Sequence, residues 1–113
     1  LDKAIEGADL VVTGEGCLDY QTVYSKAPIG VAAMAEARNI PVIAISGSLG
    51  RGYETVHDYG ICAATAITSS PMTLEEASQS ASELVTRATE EAFRLMVVGS
   101  RTIDPALTDL TNL

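Results

Sequence analysis

Three short apolar runs rich in β-branched residues alternate with helical patterns along this chain, and this alternation constrains the fold most. The runs occupy residues 9–13, 41–46 and 61–67. Apolar residues at consecutive positions predict parallel strands buried on both faces. Helical patterns occupy residues 28–38, 53–59 and 74–98. The order predicts a three-layer, Rossmann-like α/β fold, in which a parallel sheet carries helices on both faces.

Glycine and proline predict the limits of the first strand and the first long helix. Gly14 and Gly16 predict that the first strand ends there and that a polar loop covers residues 14–26. Pro28 suits the first position of a helix, where its missing N–H is not needed. Asn39 predicts the end of that helix.

The longest helix has a recognisable start and end. Thr73 and Glu76 have the spacing of a capping box, and Gly99 predicts the end of the helix. Residues 1–7 have the pattern of the last turns of a helix closed by a glycine, from which we expect a piece of a longer protein.

Charge and composition exclude several classes of function. The net charge of −8 disfavours DNA or RNA as a partner. No apolar stretch approaches the ~20 residues that cross a bilayer, so no membrane partner is expected. Cys17 and Cys62 form no C-x-x-C motif and His57 is the one histidine, which disfavours a structural zinc site. A reducing, cytoplasmic setting is expected, with Cys62 in the core.

The first candidate site follows the first strand, because ligands of open parallel sheets bind beyond the carboxyl ends of strands. Glu15, Asp19 and Lys26 lie together in this loop. A carboxylate here can hold Mg²⁺ or accept a hydroxyl proton, and a lysine can neutralise phosphate charge. The alternative is a plain βα loop in which Asp19 accepts hydrogen bonds from backbone N–H groups.

The second candidate site is the glycine-rich segment 46–52, which follows the second strand. Its backbone N–H groups can form an anion-binding nest. It is neither a Walker A motif nor a dinucleotide fingerprint. A glycine-rich turn without a ligand is the alternative interpretation.

Several matched segments resemble the type-1 glycerate kinases, in colinear order over roughly residues 5–97. The segments are residues 9–16 (DLVVTGEG), 18–19 (LD), 21–22 (QT), 26–32 (KAPIGVA), 40–50 (IPVIAISGSLG) and 70–77 (SPMTLEEA). So many matched residues in order are more specific than any single glycine motif.

The resemblance implies a kinase that uses ATP and Mg²⁺ to phosphorylate D-glycerate in a cleft between two α/β domains. Residues 1–99 would form the C-terminal part of the larger, Rossmann-like domain, and residues 100–113 a C-terminal tail. The isolated chain is then expected to be inactive, because the remainder of the full-length chain supplies the other wall of the cleft. A homo-oligomer is compatible with this interpretation.

The resemblance also assigns candidate roles residue by residue. Asp19 and Lys26 become catalytic candidates, and Glu15 and Asp19 become candidate ligands of Mg²⁺. The candidates for binding substrate or phosphate are Gly14, Glu15, Gly16, Gln21, Thr22, Gly47 and Ser48.

Two residues depart from the family pattern. Cys17 stands where the family usually has arginine, and Ser25 stands where it usually has glycine. Losing an arginine removes a bidentate contact to an anion. A kinase for another small hydroxy acid, or a non-catalytic α/β binding or assembly module, is therefore an alternative. A flavodoxin-like module is disfavoured, because few aromatic residues are available to enclose a flavin.

Overall fold

A parallel three-stranded sheet organises the chain, as the alternating pattern predicts. The computed structural model describes residues 2–102. The strands are β1 (Val11–Leu18), β2 (Val42–Leu49) and β3 (Ala63–Ala66), in the spatial order β1-β2-β3. The α-helices are α1 (Asp2–Ile5), α2 (Lys26–Glu36), α3 (Leu74–Gln79) and α4 (Ala81–Thr102), with 3₁₀ helices at Thr22–Tyr24 and Tyr53–Tyr59.

The first two strands extend further than the glycines predict. β1 continues through Gly14 and Gly16 to Leu18, and β2 continues through Gly47 to Leu49. The prediction of a loop from residue 14 was therefore wrong for residues 14–18. The two strands pair in parallel from Val11 to Glu15 and again at Cys17 and Leu18, so the ladder continues on both sides of Gly16 and Gly47.

The main core lies between the sheet and α2. Val42 and Ala44 of β2 are fully buried there against Ala32 and Ala35 of α2. The small alanine side chains let the helix lie close to the sheet. Val56 and Ile61 close the core beyond β2, and both are fully buried. The core thus fixes the positions from which the carboxyl ends of β1 and β2 emerge.

The opposite face of the sheet carries α3 and α4, which completes the three layers. Ile43 and Ile45 of β2 face a groove that Leu84 and Ala88 of α4 also line. Leu84 is 7% exposed, but Leu95 further along the helix is 66% exposed. The packing on this face is therefore less complete than the packing under α2.

Helix α2 starts earlier than Pro28 predicts. Its first residue is Lys26, so Pro28 occupies the third helical position, where a missing N–H still costs no helical hydrogen bond. Helix α2 ends at Glu36, and the turn that follows it ends at Asn39, whose backbone is left-handed with φ 57°. The Ile40 N–H donates to the Ala35 carbonyl oxygen at 2.9 Å. The predicted stop at Asn39 is confirmed.

The predicted long helix is two helices. Thr73 caps α3 as predicted, since its Oγ1 accepts a hydrogen bond from the Glu76 N–H at 3.1 Å. Ser80 then leaves the helical region with φ −104° and ψ 14°, and α4 begins at the next residue. The prediction that Gly99 ends the helix was wrong, because α4 continues to Thr102.

Two further predictions concern the edge of the sheet and the tail. Cys62 was predicted to lie in the core, but it is exposed and precedes β3. The division between residues 1–99 and the tail 100–113 stays a prediction, and residues 103–113 lie outside the described part of the chain. None of the helices between residues 2 and 102 combines the length and the hydropathy of a bilayer-spanning segment.

Candidate functional site

The parallel register brings the two candidate segments side by side at the carboxyl end of the sheet. Glu15 pairs with Ser46, and Cys17 pairs with Ser48. Gly14, Glu15, Gly16, Gly47 and Ser48 all line one groove of about 590 Å³ between the sheet and the helices α3 and α4. The structure therefore brings together five of the nine residues that the sequence nominates.

The two strands approach each other unusually closely in this groove. A β-carbon built on Gly47 would lie 2.5 Å from the carbonyl oxygen of Gly16, which no real side chain tolerates without a backbone shift. A β-carbon on Gly16 itself would meet nothing within 4 Å. Gly47 is therefore required by the approach of the two backbones, and the part of the groove floor formed by Gly16 and Gly47 carries no side chain.

The groove walls are mainly apolar. Val12 and Ile45 line it from the sheet, and Leu74, Ala77 and Val85 line it from the helices. A few polar groups in a mostly apolar cleft are typical of a small-molecule site. Glu15 is the one carboxylate among the described residues that line this groove, and Thr13, Ser48, Ser78 and Thr89 supply hydroxyl-bearing side chains.

Of the remaining four candidates, Asp19, Gln21 and Thr22 form a turn after β1, and Lys26 begins α2. The Asp19 N–H donates to Oγ1 of Thr22 at 2.9 Å, and the Thr22 N–H donates to the Asp19 carbonyl oxygen at 3.1 Å. The Asp19 carboxylate accepts a hydrogen bond from the Gln21 N–H at 2.8 Å through Oδ1. Asp19 thus satisfies backbone N–H groups, as the plain-loop interpretation expects, while Oδ2 makes no hydrogen bond within residues 2–102.

Thr22 differs from its neighbours because it is buried, with 6% of its surface exposed. Its hydroxyl is committed to the Asp19 N–H. Gln21 and Lys26 are exposed, and Lys26 is the first residue of α2. Among residues 2–102, Lys26 forms no ion pair. The turn therefore offers the Asp19 carboxylate to solvent, and the start of α2 offers the Lys26 ammonium.

Backbone hydrogen bonds link this turn to the segment after β2. The Gly50 N–H donates to the Leu18 carbonyl oxygen at 2.6 Å, and the Tyr20 N–H donates to the Arg51 carbonyl oxygen at 3.0 Å. The two loops that follow the strands are thus connected by hydrogen bonds between residues 31 and 32 positions apart in sequence.

The predicted phosphate nest is wrong for its first four residues. Ser46, Gly47, Ser48 and Leu49 belong to β2 and are extended, so their N–H groups do not converge on one point as those of a nest do. The side chain of Ser46 is fully buried and donates a hydrogen bond to the Ser48 carbonyl oxygen at 2.6 Å. No sequence pattern predicts this contact.

The acidic residues do not form a metal cage by themselves. No group of three or more His, Cys, Asp or Glu side chains in residues 2–102 is arranged to hold a metal ion. Mg²⁺, however, is commonly bound by one or two carboxylates together with substrate phosphates and water. Glu15 lines the groove and Asp19 lies in the turn after β1, so each offers one carboxylate of the kind that such a Mg²⁺ site uses.

Comparison with known proteins identifies the family to which the chain is similar. The family model described as "Glycerate kinase family" matches residues 1–97. A glycerate kinase from Bacillus cereus is 58% identical over 82 residues, which cover 73% of this chain and 22% of the relative. A glycerate 2-kinase from Escherichia coli is 39% identical over 101 residues, which cover 89% of this chain and 26% of the relative.

A solved structure agrees with these sequence matches. A protein named glycerate kinase 2 from Salmonella typhimurium superposes with a TM-score of 0.62 at 36% identity, over 88% of this chain and 25% of that one. The chain spans about a quarter of the length of these relatives. From the family match over residues 1–97 and these similarities, the chain belongs to the glycerate kinase family.

Proposed function

We propose that the full-length protein carrying this chain transfers a phosphate from ATP to D-glycerate, and that this chain forms one wall of the active-site cleft. The observation that carries the proposal is the close approach of Gly16 and Gly47 beside Glu15, in a chain that belongs to the glycerate kinase family. The approach leaves a side-chain-free floor at the carboxyl end of the sheet, where ligands of such sheets bind.

Asp19 and Lys26 are the proposed catalytic residues. One oxygen of the Asp19 carboxylate is held by the Gln21 N–H, which orients the group. Its other oxygen is available to accept the proton of the glycerate hydroxyl or to orient that hydroxyl. Lys26 begins α2, where its ammonium and the helix N-terminus both favour an anion. It would bind the transferring phosphate or the glycerate carboxylate.

Glu15 and Asp19 are the proposed carboxylate ligands of Mg²⁺. When bound, the metal would offset the negative charge that develops on the transferring phosphate. Glu15 is half-buried in the groove, where a carboxylate interacts more strongly with a cation than it does in bulk water. Asp19 is half-buried in the neighbouring turn.

The other nominated residues are proposed to bind and position the reactants. Gly14, Gly16 and Gly47 let a ligand approach the backbone, and the exposed Ser48 hydroxyl can donate to it. Gln21 offers an exposed amide. Thr22 is buried and therefore contributes chiefly by holding the Asp19 backbone, rather than by a side-chain contact with substrate.

The proposed setting is a larger, cytoplasmic enzyme. The remainder of the full-length chain would supply the second wall of the cleft, since the relatives are about four times as long as the matched segment. Cys17 and Cys62 are both exposed and free, which suits a reducing compartment. A homo-oligomer would bury the exposed apolar side chains of α4.

Paired variants of the full-length protein test the catalytic assignment. Asp19→Asn is isosteric and keeps an oxygen that can accept from the Gln21 N–H, so the fold should survive while glycerate-dependent ADP release falls about 10²- to 10⁴-fold. Asp58→Asn makes the same charge change at an exposed position of the 3₁₀ helix Tyr53–Tyr59 and should leave turnover unchanged. Equal turnover in the two variants would remove Asp19 from the catalytic role.

A further inference from the structure

The turn after β2 holds Arg51 beside the turn that contains Asp19. The Tyr20 N–H donates to the Arg51 carbonyl oxygen at 3.0 Å. On one side of Arg51, the Gly50 N–H donates to the Leu18 carbonyl oxygen at 2.6 Å. On the other side, the Thr55 N–H donates to the Gly52 carbonyl oxygen at 3.2 Å. The backbone of Arg51 is therefore fixed next to the candidate catalytic turn.

The glycines on either side of Arg51 permit this closeness. A β-carbon on Gly50 would lie 3.0 Å from Cβ of Asp19, and one on Gly52 would lie 2.8 Å from Cβ of Tyr20. Gly52 also has φ +74°, which side chains rarely adopt. Arg51 is thus the one residue of this three-residue turn that carries a side chain.

The Arg51 guanidinium has no protein partner within residues 2–102. The side chain is exposed and forms neither an ion pair nor a hydrogen bond there. Glu54 and Asp58 follow it on the 3₁₀ helix, but neither pairs with it. Asp19, the acidic residue across the turn, uses Oδ1 to accept from the Gln21 N–H. An arginine in an acidic chain is thereby left available to an external anion.

The distribution of basic residues makes this position distinctive. The chain has seven Lys and Arg residues against fifteen Asp and Glu residues. Lys26 and Arg51 are the two that follow the carboxyl ends of strands. The other five lie in or at the end of helices, namely Lys3, Arg38, Arg87, Arg94 and Arg101. Lys26, at the start of α2, and Arg51 are therefore the two cations that the segments after β1 and β2 can offer to an anionic reactant, and only Lys26 was predicted from the sequence.

We propose that Arg51 binds an oxyanion of a reactant at the carboxyl end of the sheet. The inference rests on the proposed kinase function, in which both reactants are anions: a hydroxy acid with a carboxylate and a nucleotide with phosphates. A guanidinium presents a planar pair of N–H donors that matches either group in a bidentate contact. Arg51 is a binding residue in this proposal, and the proton transfer remains with Asp19.

Steady-state kinetics of the full-length protein test the proposal. Arg51→Gln removes the charge, and Arg51→Lys keeps the charge but loses the planar fork. Arg94→Gln makes the same change at an exposed position on α4 and is the matched control. We expect Arg51→Gln to raise one KM about tenfold to a hundredfold, with a smaller change in kcat. Arg51→Lys should lie between Arg51→Gln and the unmodified protein.

The identity of the affected KM distinguishes the two anions. A raised KM for D-glycerate assigns Arg51 to the carboxylate, and a raised KM for ATP assigns it to phosphate. Thermal unfolding should be unchanged in Arg51→Gln, since the side chain forms no ion pair and no hydrogen bond with residues 2–102.

The possible failures are separable. If the unmodified protein turns over D-glycerate and Arg51→Gln has both KM values equal to those of Arg94→Gln, the assignment of Arg51 is overturned and the proposed function stands. If the unmodified protein shows no glycerate-dependent turnover, the proposed function fails, and the assignment of Arg51 fails with it.

Discussion

Gly16 and Gly47 lie so close across the β1–β2 pair that a β-carbon on Gly47 would come within 2.5 Å of the Gly16 carbonyl oxygen. The contact joins two segments that are 31 positions apart, and it occurs where both strands leave the core for the candidate site. The atom in the way is backbone, so no side-chain rotation relieves it. Only Gly47 is crowded in this way, because a β-carbon on Gly16 would meet nothing within 4 Å.

This asymmetry predicts different outcomes for two alanine substitutions. Gly47→Ala should destabilise the full-length protein by about 1–3 kcal/mol, because overpacking against backbone forces the strands apart. Gly16→Ala should change stability by less than about 1 kcal/mol, because it meets nothing within 4 Å. Urea denaturation of the two variants measures the difference. Equal destabilisation would contradict the register described for β1 and β2.

The Asp19–Thr22 turn predicts a second effect. Thr22→Val removes the acceptor of the Asp19 N–H while keeping the volume of the side chain, and it should cost about 1–3 kcal/mol. Thr22→Ser keeps the acceptor and should cost less. Because the turn positions the Asp19 carboxylate, Thr22→Val should also lower kcat. Thermal unfolding and glycerate-dependent ADP release check the two effects, and a Thr22→Ser variant as impaired as Thr22→Val would refute this role for the hydroxyl.

The cap of α3 predicts a loss of stability when the capping side chain is removed. Thr73→Ala removes the side-chain oxygen that accepts from the Glu76 N–H and should cost about 0.5–2 kcal/mol. Thr73→Asp supplies another oxygen to the same N–H and should restore most of that loss. Melting temperatures of the two variants provide the measurement. Since Leu74 and Ala77 of α3 line the groove, the alanine variant is also expected to bind ligand more weakly.

The exposed apolar surface of α4 predicts self-association of the isolated 113-residue chain. Leu95 is 66% exposed and Val98 is 55% exposed, and β1 has an unpaired edge in the described sheet. Leu95→Glu should therefore reduce the average mass in light scattering. Ser82→Glu adds the same charge at a polar position of the same helix and should have little effect. A monomeric unmodified chain would contradict this prediction.

The three strands could be predicted from sequence because their apolar runs are continuous, and continuous runs of that length indicate buried parallel strands. Their ends could not be predicted in the same way. Gly14, Gly16 and Gly47 have the local character of strand breakers, yet the neighbouring strand pairs with Gly14 and with the residues on both sides of Gly16 and Gly47. That partner lies far away in sequence, so no local pattern reports it.

The helices show a similar division between local and non-local causes. The cap at Thr73 and the turn at Asn39 depend on a few adjacent residues, and both were predicted. The break at Ser80 interrupts an apolar periodicity that continues on both sides of it, so the pattern predicted one helix. Cys62 was misplaced because an apolar run does not show which strand lies at the edge of the sheet.

The sequence predicted which residues follow the strands, but it did not predict how those residues are arranged. Glycines and carboxylates after two parallel strands indicate the carboxyl end of the sheet as the candidate site, and that assignment stays a prediction. Sequence alone did not separate the groove residues from the Asp19 turn, because that separation depends on how far β1 and β2 extend. The position of Arg51 beside the Asp19 turn could not be predicted, because it depends on hydrogen bonds between the two loops.

We propose that the full-length protein transfers phosphate to D-glycerate, with this chain as one wall of its site. The test is ADP release with ATP and Mg²⁺, measured with and without D-glycerate, with the isolated 113-residue chain assayed beside the full-length protein. We expect glycerate-dependent release from the full-length protein and none from the isolated chain. Release of ADP by the full-length protein at the same rate with and without D-glycerate would contradict the proposal.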